Sequence, residues 1–121
     1  RTKSTSLPKI TIISTPQNYI DMDGNLVKSE EMDVCVHAIS VGALHKAYPI
    51  TVAIATGAAV LLLSTIVSDM IHMSPCSTVV RLGHSSGVTN VDVRINGDTV
   101  IKGGVTRSAR RIMDGYIYIR D

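Results

Sequence analysis

Three short segments carry side chains suited to binding an anion, and the first is Ser40 to Lys46. His45 and Lys46 supply an imidazole and an ammonium group, and Ser40 and Gly42 are the other predicted donors. Pro49 follows at a position that suits the first turn of a helix, where free N–H groups and the helix dipole attract negative charge. The segment predicts an anion site, although the two cationic side chains would serve equally to solvate the end of an apolar helix.

The second segment, Gly83 to Gly87, contains His84, Ser85 and Ser86 between two runs of strand-forming residues. Its glycines and small hydroxyl side chains permit a ligand to approach the backbone closely. An ordinary hairpin loop explains the same composition and is the simpler interpretation of the local sequence. We nevertheless predict that His84, Ser85 and Ser86 are further, secondary contacts to the anion.

The third segment contains three arginines, Arg107, Arg110 and Arg111. Guanidinium groups can bind carboxylates through two parallel hydrogen bonds. Clustered arginines more often form a solvated surface, and that is the interpretation we prefer here.

No arrangement of nucleophile, general base or metal ligands is evident in the chain. The four histidines have no spacing that places them together, and they are His37, His45, His72 and His84. Cys35 and Cys76 lack the CxxC spacing of a zinc site, and we expect both to be free thiols in the reducing cytoplasm. The sequence predicts no metal and no other cofactor, and the proton-transfer group is unknown.

The element that must position these segments is the uncharged run from Ile50 to Val67. Its length is near the lower limit of a membrane span. Four hydroxyl side chains, Gly57, and flanks without a basic cluster or an aromatic belt argue against that interpretation. A helix that is apolar all round is also typical of the buried axis of a domain. We predict a buried helix from Pro49 to Val67 and no membrane partner.

Strand patterns surround this helix on both sides in the sequence. β-branched or alternating residues predict strands at Lys9 to Thr15, Thr78 to Leu82 and Val91 to Ile95. Asn96-Gly97-Asp98 predicts a hairpin turn, and Tyr116 to Arg120 (YIYIR) predicts a closing strand.

One further helix is predicted after Ser29, which offers an N-cap followed by two glutamates. Apolar residues at i, i+3, i+4 and i+7 from Met32 extend this amphipathic pattern to about Ser40. The whole pattern predicts an α+β fold of mainly antiparallel strands wrapped round one long buried central helix.

Size and charge limit the remaining possibilities. The chain has 121 residues and a net charge of +2, with its basic residues scattered and only 3% aromatic residues. This does not suggest a nucleic-acid partner. Residues 1–7 are predicted as a polar tail without the apolar core of a signal peptide, and residues 8–121 as a single domain. The first residue is not methionine, which suggests a fragment or a processed product.

Three of these motifs together resemble one family. Residues from Pro8 through the "P-x-x-Y" at Pro16 to Tyr19 and on to SVGALHKA resemble a family stretch that ends in S-M-G-x-x-H-K-A. VRLGHSSGV resembles the family's R-x-G-H-P-S-G, and RSARRIMDGYIYI resembles its closing R-T-A-R-R-L-M-x-G-x-V-Y-V. The family is that of the 2-methylaconitate cis-trans isomerases and methylitaconate delta-isomerases, PrpF-like proteins with the diaminopimelate-epimerase-like fold.

The resemblance implies two similar halves with an active site between them, and this chain matches the C-terminal half. It implies a cofactor-independent isomerase or tautomerase that shifts a proton and a double bond in small unsaturated di- or tricarboxylates. The family's catalytic lysine and cysteine lie in the other half, so this half is expected to bind the substrate carboxylate and not to turn it over alone.

Several residues depart from the family pattern, among them Val41 for methionine, Ser85 for proline, and Leu62-Leu63-Ser64 for a Pro-Gly pair. The alternative function is therefore a non-catalytic truncated or pseudoenzyme half. Such a half would act only by forming a homodimer or by pairing with a separate N-terminal half.

Overall fold

The computed structural model describes residues 9–40, 43–44, 46–74 and 76–121, so the predicted polar tail 1–7 lies outside the described residues. Among these residues, the regular structure consists of two α-helices, eight strands and one 3-10 turn at Ser29–Glu31. The elements in chain order are β1 Lys9–Ser14, β2 Tyr19–Ile20, β3 Leu26–Val27, β4 Val34–Ser40, β5 Ala43–Leu44, α1 Ile50–Leu61, α2 Ile66–Met70, β6 Val79–His84, β7 Gly87–Asn96 and β8 Thr99–Val105.

Six of the strands form one mixed sheet in the order β1-β4-β6-β7-β8, with β5 also paired to β4. All neighbouring pairs are antiparallel except β4 and β6, which run parallel. A parallel pair needs a long crossover, and the chain between β4 and β6 supplies it with both helices. The predicted combination of a helix with mainly antiparallel strands is confirmed. The hairpin predicted at Asn96-Gly97-Asp98 is confirmed as well, since Gly97 has a φ of +61°.

The core lies between one face of this sheet and α1. Its side chains are aliphatic, as expected for a chain without Phe or Trp, and Leu82, Val34, Val36, Val80, Val91 and Val93 are its largest fully buried members. Gly57 allows α1 to approach β7 closely, because a Cβ atom there would lie 3.1 Å from Cγ1 of Val91.

The prediction of one long central helix from Pro49 to Val67 is wrong. α1 ends at Leu61, Ser64 has a φ of +70°, and a separate short helix begins after Thr65. The Thr65 hydroxyl accepts a hydrogen bond from the Ser68 N–H at 3.0 Å and lies 2.5 Å from the carbonyl oxygen of Ala59. This hydroxyl therefore caps the second helix and contacts the end of the first.

The prediction that the helix is buried on nearly every side is wrong too. The fully buried residues of α1 are Ala53, Thr56, Gly57 and Val60, which share one face, while Thr51 and Ala55 are exposed. No helix in the described part of the chain is long and apolar enough to cross a membrane.

The amphipathic helix predicted from Ser29 to Ser40 is replaced by a single 3-10 turn and the strand β4. β4 is flanked by β1 on one side and by β5 and β6 on the other. Val34 and Val36 face the core under α1, whereas Cys35 packs with Met32 in a second small cluster on the opposite face. Because β4 is buried on both faces, nearly all of its positions are apolar. The alternation of apolar and polar residues that indicates a strand is therefore absent from its sequence.

The closing strand predicted at Tyr116 to Arg120 is not formed. Residues 106–121 contain no strand, and every one of them is exposed. β8 is therefore the last strand in the described part of the chain.

Candidate functional site

The sheet topology brings two of the predicted segments to one end of the molecule. β4 and β6 run parallel, so their carboxyl ends point the same way. Ser40 is the last residue of β4, and His84 is the last residue of β6. The Ser86 hydroxyl donates a hydrogen bond to the carbonyl oxygen of Lys46. Lys46 and the Ser85-Ser86 turn are therefore neighbours, while Gly42 and His45 lie outside the described residues.

The Ser85-Ser86 turn is fixed from outside by Tyr19, a residue that sequence reasoning did not select. The Tyr19 hydroxyl donates towards two carbonyl oxygens, that of His84 at 2.7 Å and that of Gly87 at 3.1 Å. Burial raises the pKa of Tyr19 to about 12, so the hydroxyl keeps its proton at neutral pH. The Met22 N–H also donates to the Ser85 carbonyl at 2.9 Å. The turn is thus held against the segment that precedes β3.

Gly87 closes this turn with a φ of +116°, a conformation that residues with a side chain rarely adopt. Gly87 was predicted to permit close approach of a ligand, and the backbone conformation of the turn also favours glycine at this position.

His84 is buried, and both of its ring nitrogens have protein partners. Its Nδ1 accepts from the Ser86 N–H at 3.2 Å, so Nε2 carries the proton and lies 2.7 Å from the Thr89 hydroxyl. The Tyr48 ring stacks on the imidazole with centroids 6.1 Å apart. His84 therefore positions the Ser85-Ser86 turn, and its neutral ring has no free nitrogen for a ligand.

Burial, with a smaller contribution from the nearby His37, lowers the pKa of His84 below its ordinary value of 6.5. Below pH 6.5 the unfolded chain binds a proton at this histidine before the folded protein does. The free energy of unfolding should therefore fall as the pH drops below 6.5. In His84→Asn, whose amide oxygen can still accept from the Ser86 N–H, this fall should be smaller. Urea unfolding at several pH values measures both slopes, and equal slopes would contradict this role.

The start of α1 lies beside the same turn. Tyr48 directly precedes the N-cap Pro49, and its hydroxyl lies 2.8 Å from that of Thr56 in α1. No side chain caps the first turn of the helix, so its free N–H groups can donate hydrogen bonds to an anion. Lys46 is exposed two residues before Tyr48, and neither ion pair within the described residues involves its ammonium group.

A cleft of about 310 Å³ adjoins the turn and is lined in part by Ser85, Tyr19, Cys35 and His37. The Cys35 sulfur lies 3.9 Å from Nε2 of His37. Both cysteines are free thiols, as predicted. No group of three possible metal ligands occurs among the described residues.

Cys35 and His37 line this cleft, although the sequence analysis did not select them. Assigning β4 as a strand would have placed both on one face, two residues apart. The P-x-x-Y motif that ends at Tyr19 contributed to the family resemblance, but it predicted no contact with the His84 turn.

The arginine segment does not contribute to this site in the structure. Arg107, Arg110 and Arg111 are exposed, and Arg111 forms a surface ion pair with Asp114 at 3.6 Å. This agrees with the preferred interpretation of a solvated surface.

Comparisons with known proteins place this fold in one class. The solved structure of a methylitaconate-delta-isomerase superimposes with a TM-score of 0.82 and 32% sequence identity, covering 94% of this chain and 30% of that one. The 3-methylitaconate isomerase of Eubacterium barkeri is 33% identical over 118 residues, which cover 97% of this chain and 31% of the relative. The 2-methyl-aconitate isomerase of Shewanella oneidensis is 37% identical over 116 residues, 93% of this chain and 29% of the relative.

The PrpF protein family model matches residues 1–120. The chain belongs to this family, as the three sequence motifs predicted. It spans about three tenths of the length of these relatives.

Proposed function

We propose that this chain provides the carboxylate-binding surface of an isomerase. The reaction shifts a proton and a double bond in a small unsaturated di- or tricarboxylate related to methylaconitate, methylitaconate or aconitate, and needs no cofactor. The observation that carries the proposal is the hydrogen bond from Ser86 to the Lys46 carbonyl. It places the backbone of Lys46 beside the Ser85-Ser86 turn, so that the Lys46 ammonium group and the Ser85 hydroxyl can serve one ligand near the uncapped start of α1.

These groups suit the charge that such a reaction develops. Removing a proton next to a carboxylate places negative charge on its oxygens, and preorganised donors stabilise that charge. Lys46 and Ser85 are our assigned donors, with Ser40, Gly42 and His45 completing the set from the preceding segment. The Ser86 hydroxyl already donates to the Lys46 carbonyl and the Ser86 N–H to Nδ1 of His84, so Ser86 positions Lys46 beside the turn. His84 acts through the turn that it positions.

The proton-transfer base is assigned to the part of the longer relatives that this chain does not span. The site would then be completed by an N-terminal half or by a second copy of the chain. The family membership and the relatives' names support this division of labour, since each relative is about three times as long as the aligned region.

Changing Lys46 to methionine tests the proposal directly. Methionine keeps an unbranched side chain and removes only the charge and the donors, so aconitate affinity should fall about 5- to 150-fold, the equivalent of roughly 1–3 kcal/mol. Isothermal titration calorimetry with the 121-residue chain measures this change. Lys102, another exposed lysine, lies on β8. Lys102→Met is therefore the matched control and should bind aconitate like the unmodified chain. Equal affinities in the two variants would mean that Lys46 only solvates the end of the apolar helix.

A further inference from the structure

His37 of β4 lies beside the candidate carboxylate site, on the face of the sheet that carries the 310 Å³ cleft. β4 and β6 run parallel with Cys35 opposite Gly83. Two residues further along, His37 therefore stands level with Ser85, the residue that directly follows β6. Both residues line the cleft. A ligand held at Ser85 is thus within reach of the His37 imidazole.

The imidazole of His37 has one nitrogen available to a ligand. Its Nε2 lies 3.9 Å from the sulfur of Cys35, a free thiol that can donate to it. A neutral ring that accepts at Nε2 carries its proton on Nδ1. Nδ1 makes no hydrogen bond within the described part of the chain, and the residue is only half-buried. His37 therefore offers an N–H donor, whereas both ring nitrogens of His84 are occupied.

The residues around His37 leave this donor free for an acceptor from solution. Ile12, directly opposite in β1, is apolar. Asp21 also lines the cleft, but one of its oxygens accepts two backbone N–H groups of its own turn, at 2.8 and 2.9 Å. These hydrogen bonds compensate part of its negative charge. The exposed amide of Gln17 adds a second N–H donor to the lining.

We propose that His37 binds the second carboxylate of the substrate, while Lys46 and Ser85 hold the first. This inference rests on the proposed function and deepens it. A cleft of about 310 Å³ has the size of a small-molecule site. A substrate with one carboxylate leaves the His37 donor without its partner, and a site built to hydrogen-bond a group discriminates against analogues that lack it. His37 therefore makes the site prefer di- and tricarboxylates over monocarboxylates.

Two ligands separate the two ends of this site. Crotonate carries one carboxylate beside a double bond, and aconitate carries three. Nuclear magnetic resonance titration of the labelled 121-residue chain measures weak affinities for both. In His37→Leu, aconitate affinity should fall about tenfold, whereas crotonate affinity should stay within about twofold of that of the unmodified chain. Lys46→Met should weaken the binding of both ligands.

Two further variants control for shape and for the loss of any imidazole. Asparagine places an amide nitrogen near the position of Nδ1, so His37→Asn should keep aconitate affinity within about threefold of the unmodified chain. His72 is an exposed histidine in the loop after α2. His72→Leu should change neither affinity.

Unchanged aconitate affinity in His37→Leu would overturn this inference, and a loss in Lys46→Met alongside it would leave the carboxylate site standing. An equal loss of both ligands in His37→Leu would overturn the inference too, because His37 would then only support the turn. A His37→Asn variant as weak as His37→Leu would also contradict a donor at Nδ1. A chain that binds neither ligand would refute the proposed function and this inference together.

Discussion

Replacing Gly57 by aspartate is expected to lower the free energy of unfolding by about 3–5 kcal/mol. A Cβ atom at this position would lie 3.1 Å from Cγ1 of Val91 and 3.2 Å from Cγ2 of Val93, both in β7. The carboxylate would therefore enter the apolar space between α1 and the sheet, where it has no partner. Urea unfolding followed by circular dichroism measures the loss.

Two variants separate burial from helix propensity in this result. Ala55→Asp places the same carboxylate on the exposed face of α1, and it should cost less than about 1 kcal/mol. Gly57→Ala should fall between the other two, because a methyl group meets the same valines without adding a charge. Equal stability of Gly57→Asp and Ala55→Asp would show that α1 does not pack on β7 through Gly57.

Replacing Leu82 by alanine is expected to destabilise the chain by about 2–5 kcal/mol. Leu82 is fully buried in β6, the strand that ends at His84, and its side chain belongs to the main core. Removing it leaves a cavity between the sheet and α1 as well as losing apolar burial. Chemical unfolding at neutral pH gives the size of the loss.

The matched control is Val79→Ala on the same strand, where the side chain is 41% exposed. This change should cost less than about 1 kcal/mol, because the neighbouring solvent fills the space. A Leu82→Ala variant as stable as Val79→Ala would contradict the position of the core.

Short sequence patterns correctly predicted those parts of the fold that depend only on residues adjacent in the sequence. Asn96-Gly97-Asp98 favours a two-residue hairpin whatever surrounds it, and the alternation from Val91 to Ile95 faces the core on one side only. β4 was wrongly predicted as a helix because its burial depends on residues that are distant in the sequence. Apolar residues cover both of its faces, and the spacing from Met32 to Ile39 then satisfied a helical period by coincidence.

The length of α1 was overestimated for a related reason. The uncharged composition of residues 50–67 continues through the break, while the hydroxyl of Thr65 ends one helix and caps the next. Hydroxyl side chains close to the backbone compete for its hydrogen bonds and favour helix ends. A count of apolar residues does not detect that competition.

The sequence predicted several residues of the candidate site, but it did not predict which of them lie next to each other. Lys46 and Ser86 were selected separately from local chemistry, but their contact depends on the parallel pairing of β4 with β6. The same pairing explains why Tyr19 was missed, because its partners His84 and Gly87 lie more than sixty positions away in the sequence.

A titration of the isotopically labelled 121-residue chain with aconitate tests the central claim most directly. Nuclear magnetic resonance then reports which backbone amides contact the ligand. We expect the largest shifts at Ser85, Ser86 and the first turn of α1, and we expect them to weaken together in Lys46→Met. Shifts confined to the exposed residues 106–111, or no shifts at millimolar aconitate, would contradict a carboxylate site at this end of the sheet.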